Sequence, residues 1–305
     1  MNFPSIICFA VAVYILVIGF YVYLFKQVVT QTQKYFLWFC LSISAWLFWF
    51  AIRPFFPNNL MAAAANWTTF PAILIPFAFY CCAKSYVHSD FRPSRKIVLL
   101  NIAIVAFLSY RAATSQMVEY IGHNETGGVV YTPTYSYHLF ILYSMILVLF
   151  SLKFIANRAL KGTGQERVNA TIFVVGCSFG LLSAITFIYI LPLFGIFIQY
   201  LASIGMFITM SVWAIVILQY DAFELNAYSV TAEEIPLTIR PVNRIYRMIF
   251  RFLEPKVYNE KRNRAGAELV LSMIGYYATM ARVFPDREPI QIAKIVAEKY
   301  SENLH

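Results

Sequence analysis

The feature that most limits this chain is the recurrence of long stretches with almost no charge. The clearest is Gly195 to Leu218, 24 residues interrupted only by Gln199 and a few hydroxyl side chains. At 1.5 Å per residue, a helix of that length crosses a hydrocarbon layer ~30 Å thick. The run ends abruptly in Gln219, Tyr220, Asp221, Ala222, Phe223, Glu224 and Leu225, after which the chain becomes strongly charged. Composition settles the class: charged residues make up 13% of the chain and mean hydropathy is +0.64, whereas soluble domains carry roughly 25% charge. The expectation is a polytopic membrane protein. A net charge of +9 then reads as cationic loops facing a cytoplasm, and no nucleic-acid partner is expected.

The fold class expected is an all-α membrane protein: a seven-transmembrane helix bundle over residues 1–221, followed by a small helical cytosolic tail over 222–305. The spans are about Pro4–Phe25, Tyr35–Phe56, Met61–Ala83, Ile97–Arg111, Tyr135–Ile155, Ala170–Leu191 and Gly195–Leu218. The third contains Pro71 and Pro76, which lipid-embedded helices tolerate where neighbours satisfy the freed carbonyls. Gly176 and Gly180 form a GxxxG on the sixth and predict a close helix approach, within the bundle or in a homo-oligomer. The Met117–Pro133 segment is the only sizeable outer connection. No cleavable signal peptide is expected, because Met1–Pro4 lacks a basic start and the first apolar run exceeds signal-peptide length.

Orientation follows from the loops. Ten basic residues follow spans one, three and five: Lys26, Lys34, Lys84, Arg92, Arg95, Lys96, Lys153, Arg158, Lys161 and Arg167. Only Arg53 and Arg111 follow the second, fourth and sixth. The bias predicts an N-terminus outside and a C-terminus inside. Cys8, Cys40, Cys81, Cys82 and Cys177 all sit in apolar runs and read as packing thiols.

In the tail, an amphipathic basic helix is expected over 241–254. Arg240, Arg244, Arg247 and Arg251 are spaced four, three and four apart, which places them within about 40° of one line on a helix. Such a stripe suits the anionic lipids of an inner leaflet. A second helix is expected over Ala265–Arg282, and a third after Asp286 with Pro289 in its first turn.

Seven N-out spans, a proline-containing third span ending in a basic loop, and a last span closing in the run from Ala214 to Leu225 resemble the seven-helix sensor region at the N-terminus of many bacterial histidine kinases. Tyr220, Phe223, Glu224 and Leu225 match that family's closing pattern; Asp221 departs from it, since the position is usually basic. The resemblance covers about residues 1–225 and implies a sensory role in a bacterial cytoplasmic (inner) membrane. Residues 222–305 contain no His-Glu phosphoacceptor pair and no Gly-rich nucleotide lid, so no kinase output is expected from them.

No catalytic constellation is evident: the histidines His88, His123, His138 and His305 are scattered, and no intramembrane carboxylate pair exists. The chain is expected not to be an enzyme and to need no cofactor or metal. One cluster does point to binding. The outer span ends collect Trp49, Arg53, Asn66, Trp67, Thr69, Tyr110, Arg111, Tyr135, Tyr137, His138, Gln199 and Tyr200. These form either an interfacial aromatic belt or a ligand pocket in which Arg53 or Arg111 takes an anionic group and the aromatics an apolar body. A coupling role is expected for Tyr220, Asp221, Phe223, Glu224 and Leu225, whose apolar Phe223 and Leu225 alternate with acids. Three readings remain at this point: a sensor relaying its state through the tail to a partner protein, a structural or assembly subunit of a larger membrane complex, and a carrier or lipid-modifying enzyme with an unread site.

Overall fold

The computed structural model describes residues 3–24, 29–123, 129–225 and 248–300. The chain divides into two compact units: Met1–Gly162 with Asn169–Leu218, and Thr163–Val168 with Gln219–His305.

In the first unit, α1 (Phe3–Leu24) packs on α2 (Gln31–Ile52). Helix α2 opens on a reciprocal cap: Gln33 N donates to Thr30 Oγ1 at 3.3 Å and Thr30 N donates to Gln33 Oε1 at 2.9 Å, satisfying two amides that no helical carbonyl reaches. Pro54 stops α2 in one 3₁₀ turn, Arg53–Phe55, and a second such turn, Asn58–Leu60, leads into α3 (Met61–Trp67). After Thr68 the chain resumes as α4 (Thr69–Val87). The expected single span over 61–83 is therefore two helical pieces. Pro71 falls in the first turn of α4, where its missing N–H has no intrahelical partner to lose, and Pro76 lies in the interior.

Helices α5 (Arg95–Ala113) and α6 (Tyr135–Lys161) both outrun the expected 97–111 and 135–155, because the helical backbone continues into flanking basic turns that hydropathy does not count. Between them lies a correction to the all-α expectation: Val118–His123 (β1) and Val129–Pro133 (β2) pair as an antiparallel hairpin. Helix α7 (Gly164–Ala184) passes into a π-helical turn, Ile185–Ile190, and a short α8 (Leu191–Leu193). The last helix of the bundle, α9, runs Leu201–Leu225. It starts six residues later than the apolar run does. Pro192 denies the helix an amide and Gly195 turns the backbone to φ +77°, a conformation that L side chains avoid.

Six helical stretches are long and apolar enough to cross a membrane among the described residues: Phe3–Leu24, Gln31–Phe55, Asn58–Val87, Arg95–Ala113, Tyr135–Lys161 and Gly164–Leu193. In α9 the apolar stretch among the residues whose side chains are described is the shorter Leu201–Ala214. Large apolar side chains face outward on these helices, Leu99, Leu142, Ile146, Val175 and Leu182 among them, each more than half exposed. In water that surface would be a liability; against lipid tails it is ordinary solvation.

Because lipid is as apolar as leucine, the bundle is held by close packing and internal polar contacts. Its centre is Trp213 of α9, fully buried, with ring centroids of Phe39, Phe79 and Phe173 at 5.4, 5.1 and 3.7 Å. Ser44 Oγ donates to Ala12 O at 2.7 Å between α2 and α1, and Tyr14 Oη lies 2.8 Å from Ser211 Oγ between α1 and α9. Helices α7 and α9 approach through small residues: a Cβ on Gly180 would overlap Thr209 Oγ1, and one on Gly205 would overlap Ser183. Thr209 Oγ1 bonds to the Gly176 carbonyl at 3.0 Å, so the GxxxG serves packing inside the bundle. All five cysteines are buried and unpaired.

The second unit is helical over its described residues. A short helix, α10, is described over 248–253; α11 runs Pro255–Val283 and α12 runs Pro289–Tyr300. Helix α11 begins ten residues before the expected Ala265, with Pro255 at a first position that suits it; the Lys256–Arg264 stretch lacks the apolar spacing that marks the rest of the helix. Ile292, Val296 and Tyr300 are buried on one face of α12. The Tyr300 hydroxyl lies 2.9 Å from Ser272 Oγ, and Lys299 Nζ stands 3.8 Å from the centre of the Tyr276 ring. Arg167 pairs with Glu254 at 3.2 Å and Lys261 Nζ donates to Gln165 at 2.8 Å. Of the arginine stripe, Arg251 is exposed; Arg240, Arg244 and Arg247 lie outside the described residues. The coupling residues Tyr220–Leu225 lie on helical backbone, with side chains outside the described part.

Candidate functional site

The hairpin covers one end of the bundle. Strand alternation turns Val118, Val129 and Tyr131 inward and Glu119 and Thr132 outward. Asn66 of α3 pins it in place. Its Oδ1 accepts from Met117 N at 2.7 Å and Val118 N at 2.9 Å, while Nδ2 donates to Val118 O and Ala62 O, both at 2.9 Å. One buried carboxamide thus satisfies the backbone where β1 meets the bundle.

Beneath the hairpin lies a cavity of about 190 Å³, somewhat larger than the ~150 Å³ engineered cavity that takes benzene. Most of its wall is apolar, with Trp46 and Phe50 from α2, Phe79 from α4, Phe140 from α6, Leu181 from α7 and Met210 from α9. Its polar lining comprises Arg53, Thr68, Thr69, Tyr131, Tyr137, Tyr189 and Gln199, together with Ser144 and Thr209, whose hydroxyls bond to carbonyls of their own helices. A mostly apolar pocket with a few convergent polar groups is the usual form of a small-ligand site.

The π-helical turn shapes this polar end. Pro192 has no amide proton, so the Ile188 carbonyl loses its ordinary i→i−4 donor. The Tyr137 and Tyr131 hydroxyls supply replacements, at 3.2 and 3.5 Å. Burial pushes the Tyr131 hydroxyl above its ordinary pKa, which keeps it a neutral donor to that carbonyl. π-Turns are frequent at functional sites, and here the turn aims a carbonyl at two tyrosines.

Arg53 is the outstanding electrostatic feature. It is 4% exposed, and its Nε is buried without a hydrogen-bond acceptor. Its guanidinium lies over the Phe50 ring, 4.4 Å from Cζ to centroid. Gln199, 6% exposed, lies close to the Tyr131 hydroxyl, yet its Nε2 finds no acceptor at bonding geometry. Among the described residues of this unit only Asp90 and Glu119 are acidic, and both are exposed. The cavity therefore presents two unused N–H donors, one cationic, and no counter-charge.

The structure brings Arg53, Tyr137, Gln199 and Thr69 together around the cavity and leaves the other expected site residues off its wall. Asn66 is consumed by the hairpin. Trp49 donates Nε1 to Ala64 O at 3.1 Å and packs against Trp67 at 6.2 Å. Arg111 Nε donates to Ser136 Oγ at 2.7 Å. His138 Nδ1 meets the Tyr189 hydroxyl at 2.9 Å on the exposed side, and Tyr110 and Tyr135 are exposed. Tyr131 and Tyr189 were missed. Val129-Val130-Tyr131-Thr132 is a run of strand-forming residues, and that signal was available to place Tyr131 on an alternating strand.

Compared with known protein families, residues 7–226 match the N-terminal 7TM region of histidine kinase. No curated protein and no solved structure matches the chain. The family match takes in every residue of the cavity wall and extends one residue past the end of α9. A chain of outward-facing apolar helices around a polar-ended cavity thus belongs to the family of the N-terminal 7TM region of histidine kinase, a family of membrane sensors.

Proposed function

We propose that this chain senses a ligand in the cavity beneath the hairpin and relays its occupancy through residues 219–305 to a partner protein. The observation that carries the reading is Arg53, buried and without an acceptor beside the equally unused Gln199. An arginine at membrane depth costs about 3 kcal/mol, and a ligand that supplies an acceptor offsets that cost. Seven crossings, N-terminus outside and C-terminus in the cytosol of a bacterial inner membrane, are supported by the loop charges and by the 25-residue length of α9. The output is a surface presented to the partner, with no reaction of its own. Anionic inner-leaflet lipids are a second contact, through Arg240, Arg244, Arg247 and Arg251.

A ligand shifts a two-state bundle only by its differential affinity for the two states. Helix α9 is the route by which such a shift reaches the tail, since it carries Thr209 and Met210 of the cavity wall and continues to Leu225. The test is co-purification of the cytosolic partner with wild type, with Arg53→Gln, and with two glycines inserted after Leu225. Arg53→Gln should fix partner association at one level, and the insertion should abolish coupling while the bundle keeps its thermal stability. Full, regulated partner binding by both variants would show a static subunit instead.

A further inference from the structure

The cavity has two kinds of wall. Most of the side formed by α2, α4, the hairpin and α9 is buried: Trp46, Phe79, Val118, Tyr131 and Met210 are each under a tenth exposed, with Phe50, Ile75 and Met206 half-buried. On α6, α7 and the π-turn the lining residues Ile141, Met145, Val148, Leu181, Ile185 and Ile188 are only half-buried, beside buried Tyr137, Phe140 and Cys177. Their neighbours Leu142, Ile146 and Leu182 are more than half exposed on the outer surface of these helices. The hairpin covers the polar end of the cavity, and the half-buried liners flanked by outward-facing apolar side chains lie mainly on α6, α7 and the π-turn.

The polar end selects for charge. Thr68 Oγ1 donates to Ala64 O at 2.9 Å, Thr69 Oγ1 to Asn66 O at 2.6 Å, and the Tyr131 and Tyr137 hydroxyls to Ile188 O. What is left over is donor capacity on Arg53 and Gln199. A head rich in acceptor oxygens and bearing negative charge completes this set; a neutral hydroxyl leaves the arginine unpaired. The volume of about 190 Å³ holds such a head and a few methylenes, so the rest of any chain lies outside in lipid.

We infer that the ligand is an anionic single-chain amphiphile whose carboxylate or phosphate sits on Arg53 and Gln199 and whose acyl chain leaves between α6 and α7. This rests on the reading of the cavity as a ligand site. The bilayer delivers such a ligand from the side, already concentrated and oriented, with its head at one depth and its chain parallel to the helices. The cavity then reads the membrane's content of free anionic amphiphile rather than a solute in water.

The experiment uses the full chain in phosphatidylcholine nanodiscs, which carry no net charge. Three 16-carbon probes are titrated: a fatty acid, a lysophosphatidic acid and, as the uncharged control, a fatty alcohol. Acetate and inorganic phosphate serve as heads without chains. Binding is read from thermal stability and from saturable quenching of tryptophan fluorescence by a fatty acid brominated near its head. Trp46→Phe identifies the quenched ring, since Trp46 lines the cavity.

Both acids should bind at least tenfold more tightly than the alcohol, and the stronger of the two identifies the head. Arg53→Gln should remove the preference, Arg53→Lys should retain part of it as a check on folding, and Arg111→Gln should leave it unchanged. Equal binding of the alcohol, or quenching that survives Trp46→Phe undiminished, would overturn the inference. If acetate or phosphate binds through Arg53 as well as the amphiphiles do, the lateral chain is wrong while the sensor reading stands. If no probe binds and Arg53→Gln leaves partner association regulated, both fail.

Discussion

Replacing Asn66 with leucine should undock the hairpin from the bundle. Leucine has the same number of side-chain heavy atoms with the same branching, but it is bulkier and has no polar atoms. The Met117 and Val118 amides and the Val118 carbonyl then lose partners now held at 2.7–2.9 Å. Both residues are under 5% exposed, so water reaches these groups only if the strand moves. Orphaned buried groups cost about 1–3 kcal/mol each; allowing for partial relaxation, the docked hairpin loses ~3–5 kcal/mol. Apolar burial of Val118, Val129 and Tyr131 opposes the release without replacing those bonds. Asn66→Asp keeps an acceptor for both amides but turns a carboxylate oxygen onto the Val118 and Ala62 carbonyls, which Nδ2 now serves, so it too should loosen the docking. The assay is hydrogen exchange at the 117 and 118 amides in nanodiscs, with protease nicking at 124–128 as a second reading. Asn66→Leu should exchange at least a hundredfold faster there while α4 and α9 keep their protection. Unchanged exchange would refute the account and assign the docking to apolar packing alone.

Three further outcomes are expected. Gly180→Val drives a side chain into Thr209 and should cost ~1–3 kcal/mol of thermal stability by overpacking, while Gly176→Ala, which meets Val212 at 3.0 Å, should cost less. Single cysteines introduced at 124 and 161 should be labelled from opposite faces of sealed membranes, outside and inside respectively; labelling from one face would defeat the seven-span orientation. A peptide covering 240–254 should bind anionic vesicles and be released by salt, at ~1 kcal/mol per basic residue, and replacing Arg244, Arg247 and Arg251 with glutamine should abolish binding.

Membrane character was legible because hydropathy over ~20 residues is a strong, local signal, but the return of charge at Asp221 does not end α9, which carries on past Leu218 to Leu225. What hydropathy does not carry is backbone detail inside an apolar run. It merged α3 with α4 across Thr68, and it placed a helix over Gly195–Tyr200, where Pro192 and Gly195 redirect the chain. The site was partly legible for a related reason. Arg53, Tyr137 and Gln199 stand out as polar residues near span ends, but so do Trp49, Tyr110 and Arg111, which satisfy themselves locally or face outward. Only the hairpin and the π-turn separate the two groups. Both are short-range backbone features in a segment that reads as a loop when scored for membrane spans.

The central claim is that occupancy of a cavity beside Arg53 changes the state of the tail. Hydrogen exchange across residues 219–253, measured in nanodiscs with and without the 16-carbon fatty acid, tests it directly. Wild type should show a ligand-dependent change in exchange there, and Arg53→Gln should show none at the same ligand concentration. Saturable binding of the acid to wild type with identical exchange in the tail would contradict the account.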